Sequence, residues 1–404
     1  MYQVTYNSVA QAIESNSRCF RAILDFGDFQ IRDEDVGNIK LQFGSVQNQT
    51  PCIGDVVSTQ CEVKILQKPE NVKLEGKEFQ LSYYLVDLLS DIADDRHGNT
   101  FGDLAEYTLS ELAGDGRTVA DVSMLDIPSI RYEEIPIAKL TVLKCKNLSD
   151  YYTLTCTDRL HFADRKYVST LSYPTTSDKV VAEIADMIDC VAEREPAQSF
   201  LVSSDGKLLL SSEGHRLITS TWQFPILQKP VGYTMRQMIG FITAMRGKFA
   251  VIDRTGTLTQ RWYSDGSGIS FDYESPENDR HIDELELAET SVIINNLTCK
   301  VDEDTTLSTG EVNGRKMQFE CPYMTGERLA TLYAMTCHDY ENEYYPCTFK
   351  QQLADPRFDV WDRLYDGNRQ LLMLNMDYTF DGGLMLDVTS GGESDTESQA
   401  IGRY

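Results

Sequence analysis

Histidine and cysteine carry much of the catalytic and metal-binding chemistry of proteins, and this chain has 5 histidines and 10 cysteines. The histidines stand at positions 97, 161, 215, 281 and 338, and no two form the i, i+4 pair around a glutamate that marks a helical zinc site. The densest group, Cys337, His338 and Cys347, lacks a fourth ligand at suitable spacing. We therefore expect no metal site, and we interpret the cysteines as reduced, mostly buried thiols.

Serine nucleophiles are not indicated either. Ser267 lies in Gly266-Ser267-Gly268, where the glycines are adjacent to the serine, whereas a nucleophile elbow has them two residues away. We interpret this segment as a surface turn. No phosphate-binding loop or dinucleotide fingerprint follows a predicted strand. The sequence predicts no catalytic residue, no cofactor and no enzyme.

Carboxylates are abundant, because 63 Asp and Glu stand against 37 Lys and Arg and give a net charge of −26. Paired carboxylates could serve a glycosidase or a peptidase, but in so acidic a chain their abundance identifies no site. The charge disfavours attraction to nucleic acid or to anionic lipid. The chain has no apolar stretch that approaches membrane-spanning length, and residues 1–17 lack the features of a signal peptide, so a soluble protein is predicted.

Alternating apolar residues predict an antiparallel β region at the start of the chain, after a short helix at 8–15. Its predicted strands are 19–25, 29–31, 38–43, 56–66, 78–86, 138–144 and 151–157. Residues 87–133 differ from these strands in their residue pattern, which is helical in one stretch. They are interpreted as an insertion between two of these strands.

Helical periodicity begins after Thr175, and a second helix is predicted after Thr234 as its N-cap. Methionines 235, 238 and 245 of this helix could line an adaptable groove, but a core stripe is the favoured interpretation. Hairpins are predicted around residues 253–256 and 381–383, and a third helix at 327–337.

The sequence thus predicts an α+β, β-rich fold with a β-barrel domain at each end and two small α/β domains between them. The predicted units are a first barrel (1–86 plus 134–166), an inserted segment (87–133), a small α/β domain (167–230), a second one with helix and hairpin (231–283), a second barrel with one helix (284–390) and a polar tail (391–404).

The order of several segments resembles phage tail hub proteins. These segments are TLSYPTT at 170–176, GYTMRQMIG at 232–240, DRTG at 253–256, RWY at 261–263 and YTFDGGL at 378–384, together with the opening strands and IGDVV at 53–57. The chain departs from that pattern at 87–133 and at DVWD, residues 359–362.

The resemblance implies the tail-tip or baseplate hub of a phage particle, with two tube-lining barrels in each chain. It implies a homotrimer, whose six barrels form a pseudo-sixfold ring that joins the hexameric tail tube to a threefold tip and lets DNA pass. The implied partners are distal tail or tube proteins, the tape measure protein, and a spike, fibre or lysin. The implied location is the virion tail tip, after assembly in the bacterial host cytoplasm.

Two alternatives stay open, a tail-associated cell-wall hydrolase and a receptor- or carbohydrate-binding tip protein. For a DNA channel we expect an acidic wall, since lysine contacts to phosphate would hold the DNA. The candidate channel-lining residues are Asp33, Glu34, Asp35, Asp302, Glu303 and Asp304.

Overall fold

The computed structural model describes most of the chain. It describes residues 1–4, 13, 19–32, 35–45, 50–86, 134–193, 199–200, 218–219, 225–271, 282–336, 343–351 and 354–390. The predicted insertion 87–133, the polar tail and most of the helix predicted at 8–15 lie outside these residues.

The first part of the chain forms antiparallel strands whose apolar side chains alternate between the core and solvent. The strands are β1 (Cys19–Asp25), β2 (Gln30–Arg32), β3 (Val36–Gly44), β4 (Gln60–Ile65), β5 (Glu78–Val86), β6 (Ile135–Asn147) and β7 (Tyr152–Thr157), and a 3₁₀ helix follows at Arg159–Asp164. In β4, for example, Cys61, Val63 and Ile65 are buried while Gln60 and Glu62 are exposed. The β1–β2 turn has Gly27 at φ +82°, a left-handed conformation that glycine adopts without strain.

The middle of the chain carries two of the three described α-helices. Its elements are β8 (Thr175–Thr176), α1 (Ser177–Met187), β9 (Val191–Ala192), β10 (Ser199–Phe200), β11 (Ile218–Thr219), β12 (Pro225–Ile226), α2 (Met235–Arg246), β13 (Phe249–Ile252), β14 (Thr257–Arg261) and β15 (Gly268–Phe271), with a 3₁₀ turn at Tyr263–Asp265. Thr234 caps α2 as predicted, in a capping box with Gln237. All three methionines at 235, 238 and 245 are buried, which confirms the core interpretation.

Strands dominate again toward the C-terminal part. These are β16 (Ile282–Leu287), β17 (Val292–Lys300), β18 (Thr306–Gly310), β19 (Arg315–Glu320), then α3 (Gly326–Ala334), β20 (Glu343–Tyr344), β21 (Cys347–Gln351), β22 (Arg363–Asp366), β23 (Arg369–Leu372), β24 (Asn375–Phe380) and β25 (Leu384–Ser390). β24 and β25 form the predicted hairpin around residues 381–383, with Gly382 at φ +71°.

Eleven strands from both ends of the chain share one sheet, in the order β16-β21-β25-β24-β3-β4-β7-β6-β5-β1-β2. The two ends meet where β24 pairs antiparallel with β3, with Phe380 opposite Ile39 and Asn375 opposite Gly44. The ladder ends at β2 and at β16 within the described residues. The α+β, β-rich prediction is confirmed, whereas the division into two barrels and the domain boundaries stay predictions.

One predicted strand is shorter than expected. The pattern at 56–66 predicts a single strand, but β4 starts only at Gln60. Val56 instead bridges to Ala250 of β13, and the Val57 amide donates to the Ala250 carbonyl at 3.3 Å. The apolar residues before β4 therefore join the first β region to the middle of the chain.

Candidate functional site

The predicted acidic clusters lie in different sheets. Asp33 and Glu34 are outside the described residues, and Asp35 is half-buried immediately before β3. Asp302, Glu303 and Asp304 are exposed in the β17–β18 turn of a separate four-stranded sheet. Hydrogen bonds from Thr305 and from the Asp304 amide lower the pKa of Asp302, so this carboxylate also stabilises its own turn. Their role as channel lining stays a prediction.

The residues considered for catalysis or metal binding do not form a cluster among the described residues. His161 is exposed beside Phe162, and Cys347 is buried in β21. Cys337 and His338, like His97, His215 and His281, lie outside the described residues. In the described part of the chain, no group of three His, Cys, Asp or Glu side chains could hold a metal ion, and no helix is long and apolar enough to cross a membrane.

Ser267 is not in a simple surface turn. Its amide donates to the buried Asp362 carboxylate at 2.7 Å, and its hydroxyl lies 3.2 Å from the Met1 amino group. A side chain at Gly266 would come within 2.0 Å of the Trp361 carbonyl oxygen, so only glycine fits there. The segment is packed against residues 361–362, and the serine helps to position the chain there.

The structure instead has a junction between the eleven-stranded sheet and the middle of the chain. It lies at the segments that resemble phage tail hub proteins. IGDVV at 53–57 crosses α2 at Gly240, with glycine facing glycine. A Cβ on Gly240 would lie 2.8 Å from the Gly54 carbonyl oxygen, and one on Gly54 would lie 2.9 Å from the Ala244 Cβ. Gly54 and Asp55 also exchange backbone hydrogen bonds with the stretch 248–250, at 2.7 and 2.8 Å. The two glycines thus permit direct contact between helix and loop backbones.

Arg254 forms the second part of this junction, at the tip of the β13–β14 hairpin. Its guanidinium pairs with Asp359 at 2.6 Å and donates to the carbonyls of Pro136, Pro356 and Phe358 at 3.1, 2.7 and 2.5 Å. Both charged side chains are nearly buried, with exposed fractions of 11% for the arginine and 12% for the aspartate. Burial has the largest single effect on Arg254 and lowers its pKa, but the charge and hydrogen bond of Asp359, together with Tyr378 and Asp362, outweigh it and raise the pKa overall. The Arg254 side chain thereby joins the β13–β14 hairpin to β6 and to residues 356–359.

Arg236 has a corresponding role at the start of α2. Its guanidinium pairs with Asp164 at 2.5 Å and donates to the Val56 and Leu160 carbonyls at 2.6 and 2.8 Å. Beside it, the Asp158 carboxylate caps the 3₁₀ helix at the Leu160 amide and accepts from the Thr59 amide. Burial raises the pKa of Asp158 to about 6, although these hydrogen bonds and Arg236 oppose the shift. Arginine is suited to such a position because its planar fork serves several acceptors at once.

A third contact joins the first, middle and last segments through buried hydroxyls. The Tyr263 hydroxyl and Ser45 Oγ lie 2.7 Å apart, and the Ser45 amide and hydroxyl both donate to the Leu374 carbonyl. Tyr263 also packs with Phe249 and Trp262 at ring distances of 5.4 and 5.1 Å. The RWY segment is thus part of the packed junction.

Glu183 of α1 organises the TLSYPTT segment. Its carboxylate accepts hydrogen bonds from the Tyr167 and Ser169 hydroxyls and from both the amide and the hydroxyl of Thr170, the last two at 2.6 Å. Partial burial raises the pKa of Glu183, but these donors outweigh it and lower the pKa overall. The ionised carboxylate is therefore the form that the loop requires.

Replacing Glu183 by glutamine is expected to cost about 2 kcal/mol of unfolding free energy at pH 7, because an amide cannot accept all four hydrogen bonds. A lowered carboxyl pKa contributes stability above the ordinary pKa, and this contribution is lost as the pH falls. The difference between wild type and Glu183→Gln should therefore shrink between pH 7 and about pH 3.5. Urea titrations at both pH values, with Glu303→Gln on the exposed turn as control, measure this; a difference that stays constant contradicts the role of the charge.

Sequence reasoning missed Arg254, Arg236 and Glu183 as positioning residues, since each is a charged residue that a solvated surface would also accommodate. A signal was available at Gly240, because a glycine inside a helical pattern costs about 1 kcal/mol and marks a close contact. In the described part of the chain, these charged side chains join segments to one another through ion pairs and hydrogen bonds.

Comparison with known proteins gives matches only among solved structures: no family model and no curated protein sequence matches the chain. The tail protein from Neisseria meningitidis MC58 is 10% identical, with a TM-score of 0.49 over 93% of this chain and 96% of that one. The prophage MuSo2 43 kDa tail protein from Shewanella oneidensis is 9% identical, with a TM-score of 0.45 over 91% of this chain and 97% of that one. Both structural neighbours are tail proteins, the class that the sequence resemblance indicated.

Proposed function

We propose that this protein is a structural hub of a phage tail tip or baseplate, in which three copies form a pseudo-sixfold ring. The observation that carries the proposal is the eleven-stranded sheet, in which β24 from one end of the chain pairs with β3 from the other. Each copy thereby contributes two sets of strands to one continuous wall. Three such copies present six sets of strands to a sixfold tube and three identical surfaces to a threefold tip.

The ends of the sheet support assembly. Within the described residues the ladder ends at β2 and β16, and an uncovered strand edge is a template for pairing with another chain. The junction at Arg254 and Gly240 supports a scaffold as well, because it fixes the middle of the chain to the sheet. The partners of the ring would be tube, tape measure and spike, fibre or lysin proteins, in the virion tail. A map of the intact particle tests the proposal by the number of copies in the ring.

The purified chain is expected to show no hydrolysis of peptidoglycan or peptides, because a structural hub needs no nucleophile or general base. The assay is release of soluble fragments from purified cell walls, with a known lysin as positive control. The hydrolase alternative would be established by turnover that disappears in a His97→Ala or His161→Ala variant. Turnover that persists in both variants and stays with the chain through repurification would also contradict the expectation, because carboxylates can carry hydrolysis without a histidine.

A further inference from the structure

The solvent face of four adjoining strands is basic, although the chain has a net charge of −26. Lysines extend from β3, β4 and β6 on this face, and β7 lies between β4 and β6. This basic patch consists of Lys40, Lys64, Lys144 and Lys146, with Glu62 as its one acidic residue. Lys64 is half-buried and the other three lysines are exposed. None of the four forms an ion pair with another described residue.

Strand register fixes the arrangement of the patch. Lys64 and Lys146 lie opposite Thr153 from its two sides, so their backbones are two strand spacings, or about 10 Å, apart. In the neighbouring row across the sheet, Lys40 lies opposite Glu62, and Lys144 lies on the other side of β7 from Glu62. The strand register therefore places the four lysines on the same face of the sheet.

Exposed leucines adjoin the lysines. Leu143 is the extra residue of the β6 bulge beside Lys144 and is 38% exposed. Leu66, directly after β4, and Leu148, in the β6–β7 turn, are 49% and 46% exposed. Nearby, the Lys64 ammonium lies 5.7 Å from the centre of the Tyr151 ring. The surface thus combines positive charge with aliphatic side chains.

We propose that the basic patch docks the acidic surface of a second copy of this chain, in a head-to-tail contact. Protein is favoured over nucleic acid by two features of the surface. The leucines gain free energy only when another apolar surface covers them, which a phosphate backbone does not offer. Glu62 in the middle of the patch repels phosphate, whereas a protein surface can place a donor beside it.

A second copy of the chain has the acidic surface that the patch requires. The basic patch itself carries a net positive charge, so the net charge of the remainder of the chain is more negative than −26. A contact between two different surfaces of identical copies is heterologous, and it closes into a ring of three when it rotates each copy by a third of a turn. The head-to-tail contact rests on the proposed ring and adds the surface that joins its copies. It also places the lysines in an interface, where they cannot hold DNA in the channel.

Sedimentation velocity of the full chain at about 50 mM and about 500 mM salt tests the proposal. The patch variant is Lys144→Glu with Lys146→Glu; the control is Lys179→Glu with Lys316→Glu, two exposed lysines on α1 and β19 with the same change in net charge. Circular dichroism confirms the fold of each. At low salt the wild type and the control should self-associate, the patch variant at least about tenfold more weakly, and high salt should reduce the difference.

Three results of the sedimentation experiment would overturn the proposal. These are equal association of all three proteins, a wild type that stays monomeric at low salt, and an equal loss in the control. Binding of a duplex of about 20 base pairs that disappears only in the patch variant would assign the patch to nucleic acid instead. A map of the intact particle tests the ring independently of the sedimentation experiment. A threefold ring in which the basic patch stays uncovered would rule out the head-to-tail contact and leave the proposed function standing.

Discussion

Replacing Arg254 by methionine is expected to lower the unfolding free energy by about 3–5 kcal/mol, the cost of breaking a buried ion pair by removing one partner. Methionine approximates the length of the side chain but leaves the nearly buried Asp359 carboxylate without its cation. The Pro356 and Phe358 carbonyls also lose their donor. Urea denaturation followed by circular dichroism measures the loss as a lower midpoint.

The matched control is Arg369→Met, which removes an arginine that is 53% exposed and 3.9 Å from Asp366. An exposed pair of this kind contributes about 1 kcal/mol or less. The double variant Arg254→Met with Asp359→Asn should recover part of the loss, since it no longer buries an unpaired carboxylate. Equal losses at Arg254 and Arg369 would show that Arg254 does not hold the junction together.

Replacing Gly240 by valine is expected to cost about 3 kcal/mol, at the upper end of the range for overpacking. The added Cβ would lie 2.8 Å from the Gly54 carbonyl oxygen, and a backbone atom cannot move aside as a flexible side chain can. Removing a helical glycine gains up to about 1 kcal/mol, so the contact has to outweigh that gain.

Gly326→Val separates these two effects. Gly326 begins α3, and a Cβ added to it would meet no other atom within 4 Å, so the substitution there should change the unfolding free energy by less than about 1 kcal/mol. The urea midpoints of both variants give the comparison. If Gly240→Val is as stable as Gly326→Val, helix α2 and the 53–57 loop are not in the direct contact described.

Local signals predicted the elements well, because their causes lie within a few residues. Thr234 and Gln237 form a capping box that can be recognised from four consecutive residues, and Asp381-Gly382-Gly383 forms a turn between two apolar runs. The strand β5 at Glu78–Val86 has its predicted bounds. Each of these features is specified by sequence neighbours.

The long-range arrangement could not be predicted in the same way. The pairing of β24 with β3 joins residues more than 300 positions apart, and no local pattern selects one partner strand over another. Arg254 has the sequence context of an exposed hairpin tip, and it is buried because residues 356–359 cover it. The junction follows from tertiary contacts. Its glycines and arginines could therefore be singled out from the sequence only as parts of the segments that resemble phage tail hub proteins.

A map of the intact tail particle tests the proposed hub most directly, because it counts the copies of this chain and shows their symmetry. We expect three copies in a ring around the tail axis, with the eleven-stranded sheets forming its wall as six similar sets of strands. Six copies in the ring, or a chain located away from the axis, would contradict the hub.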